Sequence, residues 1–373
     1  MVGVTLRCRT RGVFQAKFAA RGEVTHLHQR KKRMSTAHTT IVRAILHTIV
    51  LSFALMLAAI ATASAQEKII FSLQWIANGN NFGVFAAKEQ GLYRAANLDV
   101  DVQRGYGSGD TAKRVSTSTA DIGIADAASV IVGRSNGLKV KQVATLYERS
   151  PDAIFFIKGN GIAKPKDLEG RTIGATAGEA TVNFLPIFAA NAGFDNKKME
   201  IVNMSPSAKY ASLVAKTVDS IVGFVNEEPA IRSAASKTGL EVGRFVFSDY
   251  GINYYSLGII ASDESIAKRP EMVRHMALAT VQGYASAIKN PQAAADAFVK
   301  SYPESSREIA LQQWDVALPL ILTERSRKNG LGWIERDKMA DTIKLIAQFQ
   351  KVDPAITPDD VYASEFLPKV AVK

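Results

Sequence analysis

The stretch LQWIANGNNFGVFAAKEQGLY, residues 73–93, decides how the chain is read. An apolar, strand-like run ends in an indole, Trp75. Three asparagines follow, Asn78, Asn80 and Asn81, and then a helical pattern that stops at Gly91. Turns favour Asn and Gly because both tolerate left-handed backbone angles. One turn seldom needs an indole and three amides together. The stretch is therefore either a decorated turn or the floor of a ligand site.

The pattern continues outward from there. KIIFSLQW (68–75) reads as a strand and NFGVFAAKEQG as the helix after it. LDVDVQRG, IGIAD and VKQVATLY alternate as further strands, with helices GDTAKRVSTSTA and AASVIVGRSNG between them. Such alternation predicts an α/β protein whose sheets are mainly parallel and joined by helical crossovers. A second series follows: strands at 172–175, 200–204 and 220–225, helices at 181–192, 208–217 and 228–238. NYYSLGIIAS (253–262) closes it, and the remainder is mostly helical, with RPEMVRHMALATVQGYASAIKN the longest run. Its apolar residues recur every three or four positions, and Pro270 suits a first helical turn. One series nested in another predicts a discontinuous first lobe, residues 66–155 and 255–373, with the second lobe at 156–254. The chain would leave near 154–158 and return near 255–261. The cleft between the lobes would lie at the carboxyl ends of the strands, where open α/β sheets bind ligands.

The first 65 residues read as a leader. IVRAILHTIVLSFALMLAAI (41–60) is almost unbroken apolar sequence, with basic residues upstream and ATASAQE downstream. A basic segment, an apolar run and an A-x-A site describe a secretory signal peptide, cut between Ala65 and Gln66. The competing reading is a membrane anchor, since the run approaches spanning length. Met34 would open a conventional signal peptide, so residues 1–33 read as an over-extended start. Of the 46 basic and 35 acidic side chains, ten and one fall in the leader. The remainder is close to +2 rather than +11, so the charge gives no case for nucleic-acid binding. Cys8 and four of the five histidines (26, 28, 38, 47) are also in the leader. The rest keeps only His275, within a helical pattern. No Cys/His metal cluster and no cysteine nucleophile can be built from that. No cofactor is expected.

Several motifs in order carry a resemblance: LQWIANGNNFGVFAAKEQGLY, STADIGIADAASVIVGRSNGL, PKDLEGRTIGATAGEATVNFLPIFAANAGFD and VYASEFLPK. Over about residues 67–367 the chain resembles the ABC-transporter substrate-binding proteins of the thiamine-pyrimidine, sulfonate, taurine and nitrate group. The Trp-x-x-Asn-x-Asn opening, with a helix ending in Gly-Leu-Tyr, looks most like members that bind thiamine pyrimidine precursors. The resemblance implies the two-lobed periplasmic-binding-protein fold of the second type. It also implies a small-molecule ligand and delivery to an inner-membrane ABC permease with its cytoplasmic ATPase. A monomer in the periplasm is expected.

The candidate ligand residues follow from position. Trp75, at a strand end, can stack on a planar ring; packing is the alternative. Asn78 and Asn80 suit a heterocycle with mixed donors and acceptors, or serve as turn and cap residues, as Asn81 does. In GYGSGD (105–110), Ser108 and neighbouring backbone amides precede a helix and can hold a polar group. Asp126, at another strand end, either caps a helix or faces the cleft. GATAGEAT (174–181) is the matching turn of the second lobe, with Thr176, Gly178, Glu179 and Thr181. Glu179 is a helix-start charge or, facing the cleft, a group that repels anions and attracts an amino edge. Glu227, beside Glu228, follows another strand. Tyr254 and Tyr255 offer a second aromatic wall or hinge packing.

The expected function is therefore a non-catalytic, extracytoplasmic solute-binding protein that closes on an aminopyrimidine-like heterocycle. The alternative within the class is a small sulfonate, nitrate or carboxylate held by helix N-termini. From another class, the resemblance includes eukaryotic pyrimidine synthases. Those depend on histidine and a cysteine-rich motif, which this chain lacks beyond the leader. A membrane-tethered sensor would follow only from an uncleaved leader.

Overall fold

Two five-stranded sheets carry the chain from residue 66 onward. The computed structural model describes residues 45–49 and 66–372, and residues 66–373 form a unit distinct from residues 1–65. The leader, its cleavage point and the 1–33 extension lie outside the described residues, apart from 45–49. Among the described residues no helix is long and apolar enough to cross a membrane.

Strands β1 (Glu67–Ser72), β2 (Leu98–Gln103), β3 (Ile122–Asp126) and β4 (Val140–Thr145) come first. Then come β5 (Asp152–Ile157), β6 (Thr172–Ala175), β7 (Glu200–Asn203), β8 (Ser220–Phe224) and β9 (Val242–Val246), and finally β10 (Leu257–Ser262). The first sheet has the order β2-β1-β3-β10-β4 and the second β7-β6-β8-β5-β9. Within the first, β1 is parallel to β2 and β3, while β10 is antiparallel to both β3 and β4. The second repeats this: β6 is parallel to β7 and β8, and β5 is antiparallel to β8 and β9. Four strands of each sheet thus share a direction. The reversed strand is in each case the one that arrives from the other lobe.

This topology moves the crossings from where the sequence placed them. β5 pairs along its whole length with β8 and β9, so the chain has already left the first lobe before Asp152, not at 154–158. The outgoing crossing is residues 146–151 and the returning one 247–256.

Helices cover both sheets because each turns an apolar stripe inward. In the first lobe α1 (Phe82–Glu89), α2 (Ser108–Ser116) and α3 (Ala127–Ser135) are the crossovers. In the second, α4 (Leu185–Ala192), α5 (Lys209–Val214) and α6 (Glu228–Ser236) play that part. The return adds α7 (Pro270–Lys289), α8 (Pro291–Ser301), α9 (Arg307–Ile321) and α10 (Arg336–Ala347). α7 starts on Pro270, whose missing N–H costs nothing in a first turn. It buries Met272, Val273, Met276, Ala277, Thr280, Val281 and Tyr284, the three- and four-residue spacing read from sequence. Its contact with α1 is close: a Cβ on Gly283 would lie 2.0 Å from the Gly83 carbonyl oxygen.

Candidate functional site

The carboxyl ends of β1 and β2 in one lobe, and of β6 and β8 in the other, converge on one cleft. Past β1 the chain runs through Gln74 and Trp75 into a tight turn. Asn78 Oδ1 accepts from the Asn80 N–H at 3.0 Å, and Asn81 Oδ1 accepts from the Asn78 N–H at 3.2 Å. This reciprocal pair satisfies the Asn78 and Asn80 donors at the turn Gly79–Asn81, while the Gly79 N–H donates to Gln313 Oε1 at 3.0 Å and the Asn81 N–H to the Asn78 carbonyl at 3.0 Å. The asparagines therefore divide their work. Asn78 and Asn81 build the turn, while Asn80 is held through its backbone carbonyl, which accepts from the Tyr284 hydroxyl at 2.8 Å. Its Oδ1 is left for the cleft.

In the second lobe the turn after β6 brings Glu179 inward. Glu179 Oε2 accepts from the Thr176 N–H at 2.9 Å, and Oε1 lies 2.5 Å from Lys209 Nζ. Glu227, after β8, accepts from the Phe224 N–H at 2.9 Å and from the Tyr210 hydroxyl at 2.8 Å. It lies 3.6 Å from the same ammonium. Lys209 is fully buried, and its Nζ reaches across to the first lobe, 4.5 Å from the centre of the Trp75 ring. Burial drives the Lys209 pKa down, but Glu179 and Glu227 outweigh it and leave it above the ordinary value. It stays an ammonium. Burial raises the Glu179 carboxyl to about 7, with Lys209 opposing and Glu227 adding. Burial, with Glu227 second, lifts Tyr210 well above the usual phenol range.

Between these walls lies a cavity of about 340 Å³, mouth included, of which only about 20 Å³ admits the centre of a water molecule. The first lobe lines it with Gln74, Trp75, Asn78, Asn80, Gly107 and Ser108, and the second with Glu179, Ala180, Phe224, Asn226 and Glu227. Four buried polar atoms on this lining have no hydrogen-bond partner among the described residues: Gln74 Oε1, Asn80 Oδ1, and both Oδ1 and Nδ2 of Asn226. Buried polar groups in folded proteins are nearly always paired, so such a cluster marks a surface shaped for something else. No arginine is part of this lining. Among the described residues no group of His, Cys, Asp or Glu could hold a metal.

Apart from Ser108, the remaining sequence candidates stand around the cavity rather than in it. Ser108 lines it and accepts from the Asp126 N–H at 3.0 Å. Asp126 itself is buried at the start of α3, accepting from the Ala128 N–H at 2.8 Å and from the Ser256 hydroxyl at 2.5 Å. Thr176 and Thr181 are buried beside the lining; the Thr181 hydroxyl donates to the Gly223 carbonyl at 3.4 Å. Gly178, at φ +80°, closes the cleft with its backbone: its carbonyl accepts from the Gly109 N–H at 3.0 Å across the lobes. Tyr254 and Tyr255 do not form an aromatic wall of this cavity. Both are fully buried in the returning crossing. Tyr254 stacks on Phe184 and donates to Asp152, and the Tyr255 hydroxyl accepts from the Glu335 N–H at 3.0 Å. Of the adjacent carboxylates, Glu227 faces the cavity and Glu228 pairs with Arg232 and Arg244.

Sequence reading missed Gln74, Asn226 and Lys209. The first two could have been found, since each adjoins a residue chosen for standing at a strand end. Lys209 gave no signal, because a lysine at the start of a short helix is ordinarily solvated.

Two sheets joined by two crossings, with an amide-lined cavity at the strand ends, define a periplasmic-binding-protein-like fold. The chain belongs to the NMT1/THI5-like family, whose profile matches residues 78–294. It is 27% identical over 310 residues to the riboflavin-binding protein RibY of Chloroflexus aurantiacus, covering 81% of this chain and 86% of that protein. It is 22% identical over 304 residues to the formylaminopyrimidine-binding protein of Halalkalibacterium halodurans, covering 80% and 91%. Among solved structures it is similar to the alkanesulfonate-binding protein SsuA of Xanthomonas axonopodis pv. citri bound to MOPS. That match has a TM-score of 0.61 at 13% identity and covers 80% of this chain and 99% of the other, a likeness of fold.

Proposed function

We propose that the protein is the extracytoplasmic solute-binding component of an ABC importer and that it holds a planar nitrogen heterocycle of the aminopyrimidine type between its lobes. The observation that carries this reading is the set of four orphaned amide atoms, facing an indole and two carboxylates. Amides supply both donors and acceptors, and the carboxylates accept from an amino edge. A sulfonate, nitrate or carboxylate would meet Glu179 and Glu227 with only one cation, Lys209, already shared between them. At about 4 Å and an effective dielectric near 20, two unit charges interact by roughly 4 kcal/mol. That penalty disfavours the anion reading. The names of the two relatives agree with a heterocycle.

The role is binding without chemistry. Beyond the leader the sequence keeps one histidine, His275, on α7 away from the cavity lining, and no cysteine. The pyrimidine-synthase alternative lacks there the histidine and cysteine-rich motif that the resemblance requires, and the two carboxylates of the lining are engaged with Lys209. Delivery needs the protein outside the cytoplasm, with the leader removed after Ala65 and a permease to receive the ligand. Amino-terminal sequencing of the exported protein tests this; a chain still carrying residues 41–60 contradicts it.

The test of ligand class is a thermal-shift panel of aminopyrimidines, flavins, sulfonates and nitrate. A ligand that binds only the folded form raises its melting temperature, by about 2.7 kcal/mol of stabilisation at a hundred times its Kd. Stabilisation by a heterocycle and not by anions supports the reading. A shift with a sulfonate or nitrate alone overturns it.

A further inference from the structure

The charges around the amide-lined cavity do not balance. Its lining holds two carboxylates, Glu179 and Glu227, and no lysine or arginine. One ammonium outside the lining, Lys209, lies 2.5 Å from Glu179 and 3.6 Å from Glu227. All three side chains are buried. The elements packed around this trio bring it no second cation. The turn after β1, residues 73–81, has no charged side chain. α2 meets the Glu179 turn through Gly109 and carries another acid, Asp110, in its first turn. Arg104, beyond β2, lies over the Tyr106 ring. Arg232 and Arg244 are both held by Glu228. With both carboxylates ionised, Lys209 cancels only one of them. A net −1 is left beside a space of which about 20 Å³ admits the centre of a water molecule. Buried charge is costly unless it is paired, so such a site is shaped to receive a positive charge. In the free protein a proton serves: burial, opposed by Lys209 and helped by Glu227, raises the Glu179 carboxyl to about 7. Both carboxylates also have acceptor capacity to spare. An ionised carboxylate offers about four acceptor sites. Thr176 and Lys209 use two of those on Glu179, and Phe224 and Tyr210 two of those on Glu227.

We infer that the cavity takes its ligand as a monocation, a planar ring whose protonated nitrogen and adjacent amino group face Glu179 and Glu227 as an amidinium would. The two parallel N–H groups of such an edge make charge-assisted hydrogen bonds, roughly twice as strong as neutral ones. The inference rests on the heterocycle reading above and adds the charge state to it. A heterocycle that is neutral in solution then takes one proton from the solvent as it binds, and that proton stays on the ring nitrogen inside the closed cleft.

The experiment is a calorimetric titration of the purified protein with 4-amino-2-methylpyrimidine at pH 8, in phosphate and again in Tris. The two buffers differ in ionisation enthalpy, so the difference in heat counts the protons taken up. Wild type is expected to take up close to one proton per ligand at pH 8, and close to none at pH 6, where the free site already holds one on Glu179. Glu179→Gln leaves Lys209 and Glu227 in balance, so it should weaken binding about tenfold and bring the uptake at pH 8 close to zero. Benzamidine, a planar monocation, and benzamide, its neutral counterpart, then report on the charge of the ligand itself. Wild type should bind benzamidine at least tenfold more tightly at pH 8, without proton uptake, and Glu179→Gln should bring the two affinities together. Pyrimidine binding without proton uptake at pH 8 overturns the inference and leaves the heterocycle reading standing. So does an uptake that persists in Glu179→Gln. A benzamidine that binds no better than benzamide also overturns it, by placing the proton on Glu179 rather than on the ligand. No binding of the pyrimidine by wild type overturns the heterocycle reading and this inference with it. Melting curves show whether the variant is folded, and Glu227→Gln makes the same change of charge should Glu179→Gln fail to fold.

Discussion

Asn226 is a buried amide that satisfies neither its donor nor its acceptor inside the protein. Desolvating such a group without a partner costs about 1–3 kcal/mol, which a ligand restores by pairing with it. Asn226→Ala should therefore leave the melting temperature of the free protein unchanged or raised, while weakening ligand binding about tenfold or more. A variant that melts early but binds normally would make Asn226 a structural residue. Asp126 behaves differently, because its hydrogen bonds hold the hinge. Burial, and after it the charge of Asp152, raise its pKa from 3.8 to about 7. Burial likewise raises Asp152 to about 6 and Glu179 to about 7. An acid with a raised folded pKa binds more protons folded than unfolded, so stability falls as pH rises through that interval. The contribution is full below about pH 4 and is lost on the way to pH 7. At about 1.4 kcal/mol per unit, a rise from 3.8 to about 7 at Asp126 alone corresponds to on the order of 4 kcal/mol. Melting temperature should fall from pH 5 to pH 8, and Asp126→Asn, which carries no charge to bury, should flatten that slope. An equally steep slope in the variant would count against the assignment. Reading the turns after strands and before helices singled out Trp75, Asn78, Asn80, Ser108, Glu179 and Glu227, which share the cavity lining. It was not enough for Lys209, whose role depends on two carboxylates from distant turns meeting around it.

Periodicity made the elements legible, and the exceptions have local causes. The strand expected at 172–175 appears with those ends, and the helix at 228–238 is shortened only at its carboxyl end. The single helix expected at 181–192 is instead a 3-10 turn, Ala180–Phe184, followed by α4. Pro186 explains the break, since it has no N–H to continue a ladder from the preceding turn. The direction of β5 and β10 was not legible, because it follows from how one lobe is inserted in the other and not from any pattern within ten residues. Helix packing supplies the prediction at this scale. Gly283 meets the backbone of α1, where a Cβ would stand 2.0 Å from the Gly83 oxygen and 2.7 Å from the Ala87 Cβ. Replacing a mid-helix glycine by alanine gains up to about 1 kcal/mol of helix propensity. Overpacking a contact of this kind costs about 1–3 kcal/mol, and a backbone oxygen cannot turn aside as a side chain can. Gly283→Ala should therefore lower the unfolding free energy by a net of about 1–2 kcal/mol, the balance of these two effects, read as a lowered denaturant midpoint. A raised midpoint would show that α1 and α7 can separate freely.

At the scale of the whole molecule, two crossings of six and ten residues join lobes that meet face to face through the cleft. The inner cavity is too small for a ring as it stands, so we expect ligand entry to require separation of the lobes, a hinge motion around the crossings. Closure brings backbone against backbone at one place in particular. Gly107, at φ +128°, and Gly109 face Gly178, at φ +80°, and the Gly109 N–H donates to the Gly178 carbonyl at 3.0 Å. A Cβ on Gly107 would stand 2.7 Å from that carbonyl oxygen. The contact exists only when the lobes are together, so Gly107→Ala should act mainly on the closed form. Ligand affinity should drop about tenfold, equivalent to about 1.4 kcal/mol taken from closure. The unliganded melting temperature should change less, because the open form relieves the clash and keeps only the backbone strain of a side chain at positive φ. Small-angle scattering separates the two effects: the radius of gyration of wild type should contract when ligand is added, and that of the variant should not. A variant that contracts and binds as wild type does would show that the lobes close on other contacts and that the glycines serve only the turns that carry them.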